Sequence, residues 1–473
     1  MKRWTRFLAS LLSWSTLAFV SLTVHAAPPL PTGVEKLTTV EGISEYRLHN
    51  GLHFVLFPDA AKPTVTVNVT YLVGSHQENY GETGMAHLLE HLIFKGSRNF
   101  PDPTRQFQAR GFEINGSTWL DRTNYYLTFP ASDDNVRWAL AWSADAMVNS
   151  FIARKDLDSE MTVVRNEFEM GENDPASVML KRTQSLLFDW HNYRNNTIGA
   201  RSDIENVRIE NLQAFYRKYY QPDNAVLTVA GKFDEARAVR MIVDTFGRLP
   251  RPRRVLARSW TVEPTADGER QFVIRRKGEV QLVTLAYRTP SSLHPDADAL
   301  DLASEVLGDT PNGRLHQALV KPGLATEVFV YSADTREPGF VVFGAMVSKD
   351  GDPARVRDTM IEVVEGGFAR TGTTRAELAR AVEQARTNYE RALADPQAFA
   401  VMLSEYIALG DWRLFFHARD QLDQFQPQQL DAAASRYFVR DNRVLGTFLP
   451  EDSPQRAVIP QAPSAAQLLA DFR

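Results

Sequence analysis

The sequence between positions 84 and 94 is Gly84-Met85-Ala86-His87-Leu88-Leu89-Glu90-His91-Leu92-Ile93-Phe94. No proline interrupts it, and its apolar residues recur at helical spacing, so we predict a helix here. On that helix His87 and His91 stack on one face, and Glu90 lies beside them. Neutral imidazoles are good zinc ligands, and a nearby carboxylate can take a proton from the attacking water. The His-x-x-Glu-His pattern therefore predicts a catalytic site with one Zn²⁺ per chain.

The alternative is that these three residues form the solvated stripe of an ordinary amphipathic helix. Histidine is scarce, with 10 in 473 residues. A chance His-x-x-Glu-His in such a chain is an event of roughly one in a hundred. The rarity of the pattern favours the metal site.

A third protein ligand is expected, and a carboxylate is the natural donor. The segment 157–170 has helical periodicity, with an apolar stripe formed by Leu157, Met161, Val164 and Phe168. At about 100° per residue, Glu160 and Glu167 fall together on the flank of that stripe, whereas Glu169 points to the opposite side. Spacing alone leaves both Glu160 and Glu167 as candidates.

Length and composition limit the function classes. A chain of 473 residues with 44% apolar residues has enough material for two or more globular domains. The formal net charge of −5 argues against a nucleic-acid partner. Cysteine is absent, which excludes a thiolate ligand or nucleophile.

The N-terminus is typical of an exported protein. Residues 1–26 have a basic start, an apolar run and a small-residue cleavage site after Ala26. We predict a cleaved signal peptide, a periplasmic or secreted location and no stable membrane anchor. An uncleaved signal anchor is the alternative, because the apolar run is nearly long enough to span a bilayer.

The remaining chain divides into two related parts. Alternation at 64–71 predicts a strand, and a Pro- and Arg-rich stretch predicts a linker at 249–270. We therefore expect an N-terminal domain at 27–248, a C-terminal domain at 271–452 and a tail at 453–473. An echo supports duplication: Leu212, Tyr219, Asp223-Asn224 and Val226-Leu227 reappear 218 residues later as Leu430, Tyr437, Asp441-Asn442 and Val444-Leu445.

Several motifs together resemble the pitrilysin and insulinase family of metallopeptidases, and in particular its half-length branch that includes mitochondrial processing peptidase. Besides the segment 84–94, they are Val73-Gly74-Ser75 with Glu78, Lys95-Gly96-Ser97, Asn115-Gly116-Ser117-Thr118, Thr123-Asn124-Tyr125-Tyr126, Thr197-Ile198-Gly199, Asp203-Ile204-Glu205-Asn206-Val207 and Tyr219-Tyr220-Gln221-Pro222-Asp223-Asn224. The resemblance is strong over about residues 40–235 and thinner in the second half.

The resemblance implies an α+β fold of two related, duplicated domains that form one half of a clamshell chamber. It also implies that Glu167 is the third metal ligand, that Glu160 orients the ligand shell and that Glu90 is the general base. Asn115, Gly116 and Ser117 would lie on an edge strand that pairs with the substrate backbone. The implied function is zinc-dependent endopeptidase cleavage of peptides or unfolded polypeptide segments.

The second half departs from the family pattern. Active second halves carry an Arg and a Tyr that help bind substrate, whereas Val320 and Thr326 stand at those positions here. We therefore expect a heterodimer with a second half-length homologue that supplies both groups. The alternatives are a homodimer, with Arg314 or Tyr331 as substitute, and a noncatalytic peptide-binding or assembly subunit.

Overall fold

The computed structural model describes residues 29–472 of the chain. Within this range the protein has two sheets, each combined with helices, which confirms the predicted fold class of two α+β domains. The predicted signal peptide, residues 1–26, lies outside the described residues. Over the described range, none of the helices combines the length and apolar character needed to cross a bilayer.

The strands, in chain order, are β1 (Val34–Val40), β2 (Ile43–Leu48), β3 (His53–Pro58), β4 (Thr64–Tyr71), β5 (Glu113–Thr118), β6 (Thr123–Pro130), β7 (Ala225–Gly231), β8 (Arg270–Arg276), β9 (Val280–Arg288), β10 (Glu327–Ala333), β11 (Phe340–Ser348) and β12 (Arg443–Pro450). The first sheet has the order β1-β2-β3-β7-β4-β6-β5, and the second has the order β10-β11-β9-β12-β8. Neighbouring strands are antiparallel except for two parallel pairs, β3 with β7 and β8 with β12.

The helices are α1 (Met85–Ile93), α2 (Pro103–Arg110), α3 (Asp133–Asn149), α4 (Arg154–Asn173), α5 (Pro175–Leu187), α6 (Arg201–Asn206), α7 (Ile209–Tyr219), α8 (Glu235–Thr245), α9 (Ala297–Gly308), α10 (Pro353–Val364), α11 (Gly367–Thr371), α12 (Arg375–Ala394), α13 (Pro396–Leu409), α14 (Leu414–Gln421), α15 (Pro427–Tyr437) and α16 (Ala465–Leu468). The two helices predicted around the metal-binding motif correspond to α1 and α4. Residues 249–269 contain no helix or strand.

The two domains share one topology, as duplication predicts. The order β3-β7-β4-β6-β5 in the first sheet is repeated as β8-β12-β9-β11-β10 in the second. The repeated sequence motif lies on equivalent elements, because α7 ends at Tyr219 and α15 at Tyr437, a separation of 437 − 219 = 218 residues. In both domains a helix and a turn therefore lead into the equivalent strand, β7 in the first sheet and β12 in the second.

The domains exchange a helix. Helix α13 of the second half packs on the first sheet, where Phe399 and Leu403 join a buried cluster with Val55 and Ala230. Helix α5 of the first half packs on the second sheet, where Met179 contacts Leu282 and Phe448. Each exchanged helix starts at an Asp-Pro pair, and the Asp carboxylate accepts a backbone N–H bond at the helix start.

This exchange explains the burial of β4. Its alternating sequence is typical of a strand with one wet face, yet Thr66, Asn68 and Thr70 are all fully buried. The valines between them pack into the first domain's core, and the polar residues face α13. Asn68 Nδ2 donates to the Ala400 carbonyl at 2.8 Å and to Ser404 Oγ at 2.8 Å.

We expect Phe399→Ala to destabilise the first domain, although Phe399 belongs to the second half of the sequence. The ring is fully buried and lies 4.9 Å from the Phe57 ring. Removing a buried ring costs about 3–5 kcal/mol of unfolding free energy. Amide hydrogen exchange should accelerate in β4 and β7. Phe151→Ala, at a ring 44% exposed, is the matched control and should change little; unaltered exchange in both strands would contradict the helix-exchange argument.

Candidate metal centre

Helix α1 presents three polar side chains on an otherwise apolar surface. Six of its nine residues are buried in the first domain's core: Met85, Ala86, Leu88, Leu89, Leu92 and Ile93. The remaining face carries His87, Glu90 and His91. Packing of the apolar faces therefore fixes the direction in which the polar face points.

A buried carboxylate fixes the start of α1. Gly84 occupies the N-cap with a φ of 92°, in the left-handed region, and supplies no side-chain cap. Glu78, which is 1% exposed, accepts hydrogen bonds from the backbone N–H groups of Gly84 and Ala86, each at 2.8 Å. Burial raises the pKa of Glu78 to about 8, although those N–H groups favour its ionised form. The orphan donors of the helix start are thus satisfied from six residues upstream.

The Thr197-Ile198-Gly199 motif supports the same helix start. A Cβ atom on Gly199 would lie 2.5 Å from the Thr83 carbonyl carbon and 2.6 Å from Gly84 N. Asp203 Oδ2 accepts from Thr83 Oγ1 at 2.8 Å. Only glycine allows this close backbone approach, which accounts for the motif physically.

Three candidate ligand atoms converge beside α1. His87 Nε2 and His91 Nε2 are 3.3 Å apart. Glu167 Oε2 of α4 lies 3.6 Å from His87 Nε2 and 3.5 Å from His91 Nε2. In a tetrahedral zinc site with bonds of about 2.0–2.1 Å, ligand atoms are about 3.3–3.4 Å apart. The donor set and its spacing therefore fit zinc, with one tetrahedral position left for water or substrate.

The two α4 carboxylates occupy different positions. Glu160 does not reach the three convergent atoms. Its Oε2 lies 3.2 Å from His91 Nδ1, and its other oxygen pairs with the Lys95 ammonium. Glu160 is 8% exposed, so its carboxylate is largely shielded from water, whereas the Lys95 side chain is 36% exposed. A carboxylate on the far nitrogen of a ligand histidine fixes the ring orientation and the tautomer.

Burial changes the protonation of the site. It lowers the pKa of His87 to about 4, and neighbouring His91 acts in the same direction. His87 is therefore neutral near pH 7, as a metal ligand must be. Burial also raises the pKa of Glu90 above its usual value, while nearby Thr118 and His91 oppose the rise.

Strand β5 forms the open edge of the first sheet beside Glu90. Within residues 29–472 it pairs only with β6, and the segment Asn115-Gly116-Ser117 lies at its centre. A Cβ atom on Gly116 would lie 3.0 Å from Glu90 Cγ. The glycine thus lets the Glu90 side chain lie directly against the edge strand.

Val320 and Thr326 differ in their surroundings. Val320 packs against the second domain's core, whereas Thr326 is exposed and its Oγ1 donates to Met346 O at 3.2 Å. Arg314 is engaged internally, with Nε 2.7 Å from Glu377 Oε1. The Tyr331 hydroxyl is buried without a hydrogen-bond partner among the described residues, and its ring lies 6.1 Å from the Trp119 ring.

Two supporting contacts of the site were not predicted from the sequence: the pairing of Lys95 with Glu160 and the capping of α1 by Glu78. No local rule identifies them. Helix-capping rules look for a polar N-cap residue at the helix start, whereas this cap lies six residues earlier. Lys95 belongs to the motif Lys95-Gly96-Ser97, but its partner Glu160 is 65 positions away in the sequence.

Comparisons with known proteins match both halves of the chain to peptidase domains. The family profile "Insulinase (Peptidase family M16)" matches residues 54–201, and "Peptidase M16 inactive domain" matches residues 206–385. The zinc protease PqqE of Helicobacter pylori is 27% identical over 451 residues, which cover 93% of this chain and 98% of that protein. An uncharacterized zinc protease of Mycobacterium bovis is 28% identical over 400 residues, covering 83% and 90%.

Solved structures have the same fold. A protease from Helicobacter pylori superimposes with a TM-score of 0.81 at 25% identity, covering 86% of this chain and 99% of that one. The periplasmic protease PqqL from Escherichia coli gives a TM-score of 0.69 at 19% identity, covering 90% of this chain but 48% of that one. The chain thus corresponds to about half of the PqqL structure.

The two α4 carboxylates should differ in their effect on zinc affinity. Glu167→Gln removes a charged donor from the convergent set and should weaken zinc binding most. Glu160→Gln disturbs only the support of His91 and should cost about 10–100-fold. Competition against a chromophoric chelator measures both. Glu169→Gln, at an exposed position on the same helix, is the control; a larger loss from Glu160→Gln than from Glu167→Gln would reverse the assignment.

Proposed function

The chain belongs to the pitrilysin and insulinase family of peptidases, M16, and from this premise we propose that it is a zinc-dependent endopeptidase. The observation that carries the proposal is the spacing of 3.3–3.6 Å among His87 Nε2, His91 Nε2 and Glu167 Oε2, next to Glu90 and an open edge strand. A metal site and a peptide-binding edge in contact are what peptide-bond hydrolysis requires.

His87, His91 and Glu167 would hold the zinc. When bound, zinc acts as a Lewis acid, polarising the scissile carbonyl and lowering the pKa of water. Glu160 keeps the His91 ring in place through its contact with Nδ1 at 3.2 Å. Lys95 offsets the charge of Glu160, so this carboxylate acts as a support rather than as a competing base.

Glu90 is the proposed general base and acid. It accepts a proton from the attacking water and returns that proton to the leaving amine. Its raised pKa makes the carboxylate a stronger base for the first step, and the protonated carboxyl is still a far stronger acid than the leaving amine, so it can return the proton in the second. Its contact with Gly116 puts the carboxylate beside the strand on which substrate would lie.

The hydrogen-bonding pattern of β5 identifies the groups that would bind the substrate backbone. Trp119 N donates to Arg122 O at 2.8 Å, so Trp119 and Arg122 form a hydrogen-bonded pair at the hairpin end. Because such pairs alternate along an antiparallel ladder, Ser117 and Asn115 also bond to β6. The N–H and C=O groups of Ile114, Gly116 and Thr118 then face the open edge, where the Gly116 N–H donates to Asn115 Oδ1 at 2.8 Å.

This division assigns different parts to the three proposed substrate-binding residues. Gly116 would offer its carbonyl, and also its N–H once a substrate carbonyl replaces Asn115 Oδ1 as the acceptor. Asn115 and Ser117 would act through their side chains and by holding the strand on β6. Strand addition recognises an extended backbone and tolerates varied side chains. The proposed substrates are accordingly peptides or unfolded polypeptide segments.

We also propose that the working enzyme is a heterodimer in the periplasm or outside the cell. The chain covers only 48% of PqqL, which is described as a periplasmic protease. A partner of the same length would complete the chamber and supply the Arg and Tyr for which Val320 and Thr326 stand here. Without such donors a bound peptide loses charge-assisted and phenolic hydrogen bonds.

Glu90→Gln should keep the metal and lose hydrolysis. The amide preserves size but removes the base, so turnover of an unstructured fluorogenic peptide should fall about a hundredfold or more. Elemental analysis should still give about one zinc per chain, whereas His91→Ala should retain none. Near-normal turnover by Glu90→Gln would refute its role, and full zinc in His91→Ala would refute the metal site.

The purified chain alone should be weakly active compared with the chain plus a half-length homologue that carries the Arg and Tyr. Missing transition-state donors cost on the order of a hundredfold in rate. Light scattering gives the particle mass in the same samples, and pairing the homologue with His91→Ala chain is the control. Full activity from a monomer or homodimer would refute the heterodimer and leave the zinc chemistry intact. Inactivity with every homologue, despite bound zinc, would favour the noncatalytic subunit.

A further inference from the structure

Arg122 lies where the edge strand meets the second half of the chain. It follows the turn after β5, and it is 6% exposed. Its Nη1 donates to the Ser117 carbonyl at 2.9 Å, to Ser117 Oγ at 2.9 Å and to Asn124 Oδ1 at 2.8 Å. Its Nε donates to Glu405 Oε1 of α13 at 3.0 Å, and Nη2 reaches the same oxygen. One guanidinium thus joins the strand end to the exchanged helix.

A buried polar network continues this connection across the sheet. Asn124 Nδ2 donates to Asn68 Oδ1 at 3.0 Å, and Asn68 Nδ2 donates to Ser404 Oγ at 2.8 Å. Asn124, Asn68 and Ser404 are fully buried. Because a buried polar group is costly when it loses its partner, such a network has one well-defined arrangement. Arg122 is the member that extends this arrangement to β5.

The exposure of each contact indicates which bonds of Arg122 hold the end of β5. The Glu405 side chain is 41% exposed, so its ion pair with Arg122 is partly screened by water. The bonds from Nη1 are shielded, and they are directed at Ser117, next to the outward-facing groups of Gly116 and Thr118. A lysine has no planar fork and cannot engage these acceptors together with the carboxylate.

We propose that Arg122 is a positioning residue for the substrate: anchored on Glu405 of the second half, it holds the end of β5 in the conformation that pairs with a peptide. Arg122 acts through the strand and makes no contact with the reacting atoms. The inference rests on the proposed peptidase function. It makes peptide binding at the first domain depend on an interdomain contact that lies outside the metal site.

Arg122→Lys should raise KM and leave kcat nearly unchanged. Without the Arg122 contacts the end of β5 would become ordered only when the substrate binds. The loss of conformational entropy would then weaken substrate binding. We expect KM for an unstructured fluorogenic peptide to rise about tenfold, kcat to stay within about twofold and zinc content to be unchanged. Glu405→Gln keeps an acceptor oxygen and should give a smaller change in the same direction. The assay uses the full chain with the homologue that gives activity.

Arg443→Lys is the matched control. Arg443 is 7% exposed and bridges Glu269 and Glu365 in the second domain, away from β5. It should lower thermal stability and leave KM unchanged. Equal KM effects of Arg122→Lys and Arg443→Lys, or a fall in kcat without a change in KM, would overturn the positioning role.

Hydrogen exchange tests the inference without relying on hydrolysis. In Arg122→Lys the amides of residues 113–119 should exchange at least several-fold faster, whereas those of α1 should be unaffected. Arg443→Lys should leave both segments unchanged. Unaltered exchange at 113–119 in Arg122→Lys would refute the inference even in an active enzyme. Faster exchange at 113–119 in a chain that binds zinc but cleaves nothing would support the contact between Arg122 and β5. The same result would count against the proposed peptidase function.

Discussion

Each of the two sheets has one face that its own domain cannot cover, and the covering helix comes from the other half of the chain. Helix α13 lies on the first sheet and α5 on the second. Without the covering helix, the apolar side chains of that face would be exposed to water, and the sheet would lose the stabilisation that their burial provides. The two halves therefore stabilise one another, and the geometry of the metal centre is a property of the whole chain.

The metal centre shows this dependence at short range. The apolar faces of helix α1 pack on the core of the first domain, and its first residues are held by Glu78 and the Gly199 segment. The proposed substrate edge next to it is connected, through Arg122, to a helix of the second domain. The candidate ligands on α1 are consequently held by packing, whereas the proposed peptide-binding edge is held through polar contacts. Apolar packing resists small displacements in every direction, but hydrogen bonds fix particular atoms.

Local patterns predicted the elements that carry the chemistry. The His-x-x-Glu-His spacing predicted α1, the stripe from Leu157 to Phe168 predicted α4, and the repeated motif predicted the shared topology. Sequence spacing could not separate Glu160 from Glu167, because both lie on one flank of α4. That distinction depends on how far each carboxylate is from α1. The sequence also could not indicate that the polar face of β4 is buried, since Ser404 lies 336 residues from Asn68. Long-range polar partners leave no periodic signal in either segment.

The geometry of one helix separates Glu90 from the two histidines of the candidate metal centre. At about 100° per residue, His91 lies about 40° from His87 around the axis, whereas Glu90 lies about 60° from His87 on its other side. Glu90 therefore turns away from the convergent atoms and towards Gly116. Burial favours its neutral form, and a divalent cation held by its neighbours would favour the ionised form. The two influences on the Glu90 pKa act in opposite directions, and the proposed general-base role needs a pKa that lies not too far from the working pH.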